Sequence, residues 1–285
     1  MRLHEPLTPE TVAQPLGTLG AQPCDQVSTL GWDIFEGTGI QAATPSRHGG
    51  VSQGPYRSLN LALHVGDSPE AVAENRRRAA GALDSDPGQL VLANQVHSNR
   101  AVVIGSRLGG PSRRIGEIQI TADALVTSSP GVLVGVLVAD CAPVVLFDPK
   151  AGVLACAHAG WRGAFSGIVQ STLLVMASLG ACAAQTLAGI GPTVPPERYE
   201  VGTEVITAAE GALGDPSPFL SRSLISQRTN LDLAAAVRSI LVRSGVPAGQ
   251  IELSKAHSGP PFPFFSARAS AGPCGRFAAL ARIAR

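Results

Sequence analysis

Aromatic side chains make up only 4% of the 285 residues and charged ones only 15%, with 22 Lys and Arg set against 21 Asp and Glu for a net charge of +1. Charge so balanced and so sparse excludes a disordered polyelectrolyte and a strongly basic nucleic-acid binder. Long hydrophobic runs are also lacking. The most apolar stretch, 131–147, is broken by Asp140 and Pro143 and is too short to span a bilayer. Residues 1–30 hold no basic segment followed by an apolar run, so no secretory leader is expected. Cysteine is scarce as well: Cys24, Cys141, Cys156, Cys182 and Cys274 are odd in number, far apart and without a CxxC pair. That pattern excludes a disulfide framework and a zinc ribbon and points to a reducing compartment. The expectation is a soluble cytoplasmic protein, monomer or homodimer, with neither nucleic acid nor membrane as partner.

Hydrophobic residues, at 45%, are enough for a sizeable core built from Val, Leu, Ala and Ile, and 32 Gly with 22 Pro imply many turns. Residues 1–30 show little apolar periodicity and read as a flexible extension, leaving 31–285 as a single α+β domain. Short apolar runs at 101–104, 124–126, 132–138, 144–147, 153–157, 187–190 and 251–253 read as strands, several buried on both faces. Three helices carry end signals. The first opens at Asp67 or Ser68 with Pro69 at its first position and runs towards Leu83. The second carries Phe165, Ile168, Val169, Thr172, Leu173, Met176 and Leu179 at helical spacing and stops at Gly180. The third takes Asn230 as its cap and ends before Gly245.

Chemistry concentrates in Ala139-Asp140-Cys141-Ala142-Pro143 and His158-Ala159-Gly160-Trp161-Arg162-Gly163, two segments joined by strands around Asp148-Pro149-Lys150-Ala151-Gly152. Asp-Pro and Ala-Gly between apolar runs signal a hairpin. Cys141 and His158 stand symmetric about Pro149–Lys150, so pairing places them near one another, within a residue or so of slippage. Such a pair can be two metal ligands, or the nucleophile and base of a cysteine hydrolase; it can also be a small buried hydrophobe beside a hydrogen-bonded turn residue. Asp140 can orient a ligand, accept a proton or cap the strand end. His97, in Gln95-Val96-His97-Ser98, sits at an element boundary and gains meaning only as a third ligand. Ser46-Arg47-His48-Gly49-Gly50-Val51-Ser52 and the segment from Ser58 through Asn60 and His64 to Asp67 are dense in glycine and polar groups, and Arg47 could receive an oxyanion or simply be solvated.

These motifs, in order with Gly189-Ile190-Gly191-Pro192, Tyr199-Glu200-Val201-Gly202, Leu231-Asp232-Leu233, Phe264-Phe265-Ser266 and Gly275-Arg276, resemble one family. It is the multicopper polyphenol oxidase or laccase-domain family, whose members are also described as purine nucleoside phosphorylases and as peptidoglycan editing factors. The resemblance covers about 40–280. It implies a layered α/β/β/α sandwich with mixed sheets and a metal held by His97, Cys141 and His158. It also implies phosphorolysis of adenosine, inosine, guanosine and methylthioadenosine, with adenosine deamination. Catalytic roles then fall on Cys141, His158 and Asp140, and substrate contacts on Arg47, Asn60, Gln95 and Arg162. Zinc is favoured, with copper possible, because six histidines (His4, His48, His64, His97, His158 and His257) hardly supply a multicopper array. Three other readings are a laccase-like copper polyphenol oxidase, a cysteine hydrolase acting through Cys141 and His158, since the fold is shared with a deamidating toxin domain, and an enzyme that edits cell-wall precursors. The sequence departs from the family at Ala256-His257, where Cys-Thr is common, and at Ala267-Arg268-Ala269, where Tyr-Arg-Arg is usual. The C-terminal wall of the pocket is expected to differ there, with His257 an exposed loop residue.

Overall fold

The computed structural model describes residues 27–105, 120–223 and 227–284. With elements numbered along the chain, a five-stranded sheet runs in the order β1 (Thr29–Leu30), β2 (Ile40–Pro45), β14 (Phe277–Ile283), β6 (Leu133–Val138) and β3 (Leu90–Leu92). A six-stranded sheet runs β13 (Ile251–Leu253), β9 (Leu187–Ile190), β7 (Ala142–Asp148), β8 (Val153–Ala159), β5 (Ala124–Thr127) and β4 (Ala101–Val103). Both are mixed. A small antiparallel sheet joins β10 (Glu200–Val201), β12 (Thr229–Leu231) and β11 (Leu220–Arg222). The helices among the described residues are α1 (Pro69–Gly81), α2 (Trp161–Ser166), α3 (Ile168–Ser178), α4 (Thr203–Leu213) and α5 (Leu233–Arg243).

Side-chain alternation turns these elements into four layers. Val134, Val136, Ala279 and Ala281 of the first sheet meet Leu125, Val145, Phe147, Leu154 and Cys156 of the second in one buried cluster. The other face of the first sheet, through Leu133, Leu137, Ala278 and Leu280, packs under Ala79 and Ala80 of α1 and Leu59 and Leu61 of the preceding loop. The other face of the second sheet, through Val144, Leu146, Ala155 and Ala157, packs on α3, α4 and α5. Every residue of β6, β7 and β8 is buried, as the unbroken apolar runs require. The architecture is the expected α/β/β/α sandwich.

All seven expected strands are present, as β4 to β9 and β13, with bounds shifted by a residue or two. The extension assigned to 1–30 has residues 1–26, with His4 and Cys24, outside the described residues, whereas Thr29 and Leu30 pair with Pro45 and Thr44 at the sheet edge. The second helix is two, because Gly167 takes φ +99 and divides α2 from α3. The cap of the third is Asp232, whose side chain accepts from the Ala235 N–H, while Asn230 lies in β12. β14, Phe-Ala-Ala-Leu-Ala-Arg-Ile, has the composition of a helix former, yet pairing with β2 and β6 on both edges makes it a central strand. The hairpin register also differs from expectation: Pro143 faces His158 and Ala142 faces Ala159, so Cys141 falls level with Gly160 rather than His158.

Candidate metal centre

β6 belongs to one sheet and β7 to the other, so residues 139–141 are the corner at which the chain crosses between them. Asp140 turns that corner with φ +91, in the left-handed region that non-glycine residues avoid. Its carboxylate accepts from the Ser258 hydroxyl at 2.5 Å, the Ser266 hydroxyl at 2.6 Å and the Arg268 N–H at 2.6 Å. Asp140 therefore clamps the C-terminal segment against the corner.

Cys141 follows immediately. The register offset that moves it away from direct pairing with His158 sets its thiol over Gly160, where a Cβ would stand 2.8 Å from Cys141 Sγ and 3.1 Å from His97 Cδ2. Gly160 thus opens the space in which the thiol reaches both histidines. His97 Nε2 lies 3.9 Å from Cys141 Sγ, and the rings of His97 and His158 meet edge to face with centroids 4.7 Å apart. One ligand atom from each of His97, Cys141 and His158 lies within 4.8 Å of the other two, and no other such group of His, Cys, Asp or Glu occurs among the described residues. Tetrahedral zinc with Zn–N and Zn–S bonds of ~2.1 and ~2.3 Å places nitrogen and sulfur ~3.6 Å apart, a few tenths from the spacing seen. The donor set fits such an ion.

Asp123, which the motifs had not singled out, organises the centre. Wholly buried at the mouth of β5, its carboxylate accepts from the backbone N–H groups of Val96, His97 and Ser98 at 3.3, 3.0 and 2.7 Å and from the Ser98 hydroxyl at 2.7 Å. It also meets His158 Nδ1 at 2.9 Å. That bond turns Nε2 of His158 towards the centre, and the three amide bonds hold His97 at φ +60. Its only signal in the sequence is an acid placed just before the apolar run Ala124-Leu125-Val126.

The electrostatics follow from this packing. Burial pushes the Cys141 thiol up, but hydrogen bonding and charge from His158 and His97 outweigh it and bring the thiol down to about 6. Burial disfavours the His158 imidazolium, yet Asp123 and Cys141 together raise it to about 9. Burial also opposes the Asp123 carboxylate, which His158 and Ser98 nevertheless hold at about 2. Cys156, two residues before His158 in β8, is fully buried and its thiol is pushed far up by burial. It is inert core, as expected.

The remaining candidates divide. The Gln95 amide donates to the Leu137 carbonyl at 2.8 Å and accepts from the Leu137 N–H at 2.7 Å, tying the His97 loop to β6. Asn60 is wholly buried; its amide bonds Ala62 twice, Asp67 and the Arg276 N–H, so its polar atoms are occupied inside the fold. Arg47 stacks at 4.4 Å over Phe265 and donates Nε and Nη2 to the Arg57 carbonyl. Arg162 stacks at 4.2 Å on Trp161 and reaches Glu204 at 3.3 Å. Two further groups, unnoticed as site residues, stand nearby. Arg268 lies over the Tyr199 ring at 5.4 Å, and the Tyr199 hydroxyl is raised well above its usual range by burial and then by the charge of Cys141. Arg268 and Ser266 line a cavity of about 300 Å³ with Val194, Pro195 and Glu197. His257 is half-buried, not exposed, with its ring edge-on to Phe262.

Residues 41–284 match the family described as multi-copper polyphenol oxidoreductase laccase. The chain belongs to this family. A relative from Deinococcus radiodurans, named purine nucleoside phosphorylase, is 40% identical over 246 residues, 86% of this chain and 90% of its own. A family protein of an unknown prokaryotic organism, named adenosine deaminase RL5, is 35% identical over 214 residues, 75% of this chain and 82% of its own. Among solved structures, YlmD from Geobacillus stearothermophilus is similar with a TM-score of 0.83 and 31% identity, over 93% of this chain and 98% of that one. No helix among the described residues is long and apolar enough to cross a membrane.

Proposed function

We propose that the protein is a zinc-dependent enzyme of purine nucleosides, catalysing their phosphorolysis and the hydrolytic deamination of adenosine at one centre. The observation that carries this reading is the convergence of His97, Cys141 and His158 with Asp123 fixing the imidazole of His158. Three protein donors with an open fourth position are the signature of catalytic rather than structural zinc. A bound zinc supplies Lewis acidity towards water or a substrate oxygen. Zinc suits one thiolate with two imidazoles, whereas His48, His64 and His257 lie outside the cluster, so no second ligand group for a multicopper array occurs among the described residues.

The protein's own groups supply the rest. Phosphorolysis requires phosphate to be held in line with the anomeric carbon while the base departs. Arg162, stacked on Trp161, and Arg268, over the Tyr199 ring, present guanidinium donors for phosphate oxygens, and Arg47 keeps Nη1 for the same purpose. Asp140 keeps Arg268 in place through its backbone bond. The 300 Å³ cavity beside Arg268 suits a nucleoside-sized ligand. Names borne by relatives, purine nucleoside phosphorylase and adenosine deaminase, support both reactions.

Purified protein incubated with inosine and phosphate is expected to release hypoxanthine, and Cys141→Ala to lose more than the ~10- to 100-fold typical of removing a ligand's supporting partner. Undiminished release by that variant counts against the reading. A second reading is supported by the acidic Cys141 thiol facing the basic His158, the charge pattern of a cysteine hydrolase dyad. Thiol alkylation separates the two. Modification of Cys141 only after chelation favours zinc, and equal modification before and after favours the dyad.

A further inference from the structure

Two motifs far apart in sequence, His64-Val65-Gly66-Asp67 and Gly275-Arg276, adjoin the loop of Leu59, Leu61 and Ala62 that packs with α1 on the outer face of the five-stranded sheet. Phe277 packs in the cluster flanked by Cys141, whereas Ala278 packs under α1; Arg276, two residues before Ala278, continues the α1 face. Its N–H donates to Asn60 Oδ1 at 2.9 Å, and its carbonyl accepts from the Leu61 N–H at 3.0 Å. Arg76 reaches the same loop from α1, donating Nε to the Leu61 carbonyl at 2.9 Å. His64 stands three residues further on, in a loop held by the Tyr56 hydroxyl on the Val65 carbonyl at 2.6 Å.

Among the described residues, neither guanidinium has a carboxylate partner, and His64 has none either. Arg76 is only 6% exposed, yet no ion pair among the described residues includes Arg76, Arg276 or His64. The carboxylates at hand are committed elsewhere: Asp67 to Ser52, Asn60 and the Ser68 N–H, Glu70 to the Ser68 hydroxyl, and Glu74 to Arg77 and Arg78. Arg276 directs Nη1 to the carbonyls of Cys274 and Gly275. Burying a guanidinium without a counter-ion is costly, and bringing a second guanidinium to the same loop adds repulsion. The charges are felt locally: burial lowers Arg76 to about 10, and burial, then Arg276, then Arg76 lower His64. Two guanidinium groups and an imidazole on a preorganised scaffold match the donor demand of a tetrahedral oxyanion.

We propose that His64, Arg76 and Arg276 form a binding site for a phosphate-class oxyanion between α1 and the outer face of the five-stranded sheet, separate from the metal centre. The site stands independently of the nucleoside reading, since neither its residues nor its test involves the metal. Inorganic phosphate and a nucleoside monophosphate are titrated in separate arms at constant ionic strength, followed by the proton resonance of His64 and by calorimetry. The His64 signal, identified by its loss in His64→Ala, is expected to shift and saturate in at least one arm, and the stronger arm identifies the source. Arg276→Gln and the exposed-site variant His64→Ala are each expected to weaken that binding about tenfold or more, the loss of one charge-assisted hydrogen bond, whereas Arg162→Gln leaves it unchanged. A His64 signal unmoved in both arms overturns the proposal. So does wild-type affinity in both Arg276→Gln and His64→Ala, or binding abolished by Arg162→Gln alone.

Discussion

At the residue scale, His97, Cys141 and His158 become a site through Asp123, which spends its carboxylate on three successive amides, a hydroxyl and an imidazole. Asp123→Asn keeps the shape but can no longer hold His158 as a charged acceptor, so metal affinity is expected to fall ~10- to 100-fold, measured by competition with a chromophoric chelator. Proton competition gives a second expectation. With Cys141 at about 6 and His158 at about 9, the metal-free centre at neutral pH holds a thiolate beside an imidazolium. Binding must displace the His158 proton, so apparent affinity rises about tenfold per pH unit up to about 9 and then levels, and it falls more steeply below about 6, where Cys141 also takes a proton. A titration flat between pH 7 and 9 would contradict the raised imidazolium. The motif residues around the ligands were legible in the sequence because each is a chemically distinctive type. Asp123 was not, because an acid before a strand is common and its five partners are brought together only by folding.

At the element scale, the β7–β8 hairpin was legible from its turn residues, but its register was not: one residue of turn placement moves Cys141 from His158 to Gly160. That offset makes Gly160 a steric requirement. Its φ of −70 and ψ of 166 suit alanine, so Gly160→Ala leaves backbone and helix α2 intact while its Cβ presses on Cys141 Sγ. Zinc affinity is expected to drop at least about tenfold with circular dichroism unchanged, since metal sites tolerate only a few tenths of an ångström in ligand position. Full zinc occupancy at wild-type affinity in this variant would show that the thiol has another way in. β14 marks the opposite limit: its alanines and leucine give no strand signal, and only its two neighbours make it one.

At the scale of the whole molecule, the ligands come from a loop leaving the first sheet, from the corner between the sheets and from the end of a strand of the second. An ion held there ties the two sheets together at their rim. Chelation is therefore expected to lower the melting temperature by on the order of 10 °C for an ion bound about a thousandfold above its Kd, with zinc restoring it. Calorimetry with metal content assayed in parallel checks this, and an unchanged melting temperature in demonstrably metal-free protein would mean that the ion bridges nothing. What the sequence determined alone was local: apolar runs long enough for buried strands, turn residues between them, and the donor types that could hold a metal, because each depends on neighbours within a few positions. Which sheet each strand joins, why Cys141 stands over Gly160, how Asp123 reaches the His97 loop and why His64, Arg76 and Arg276 share a face were decided by tertiary packing. Those relations depend on strand register and on the stacking of two sheets, and residues distant along the chain acquire them only when the core closes.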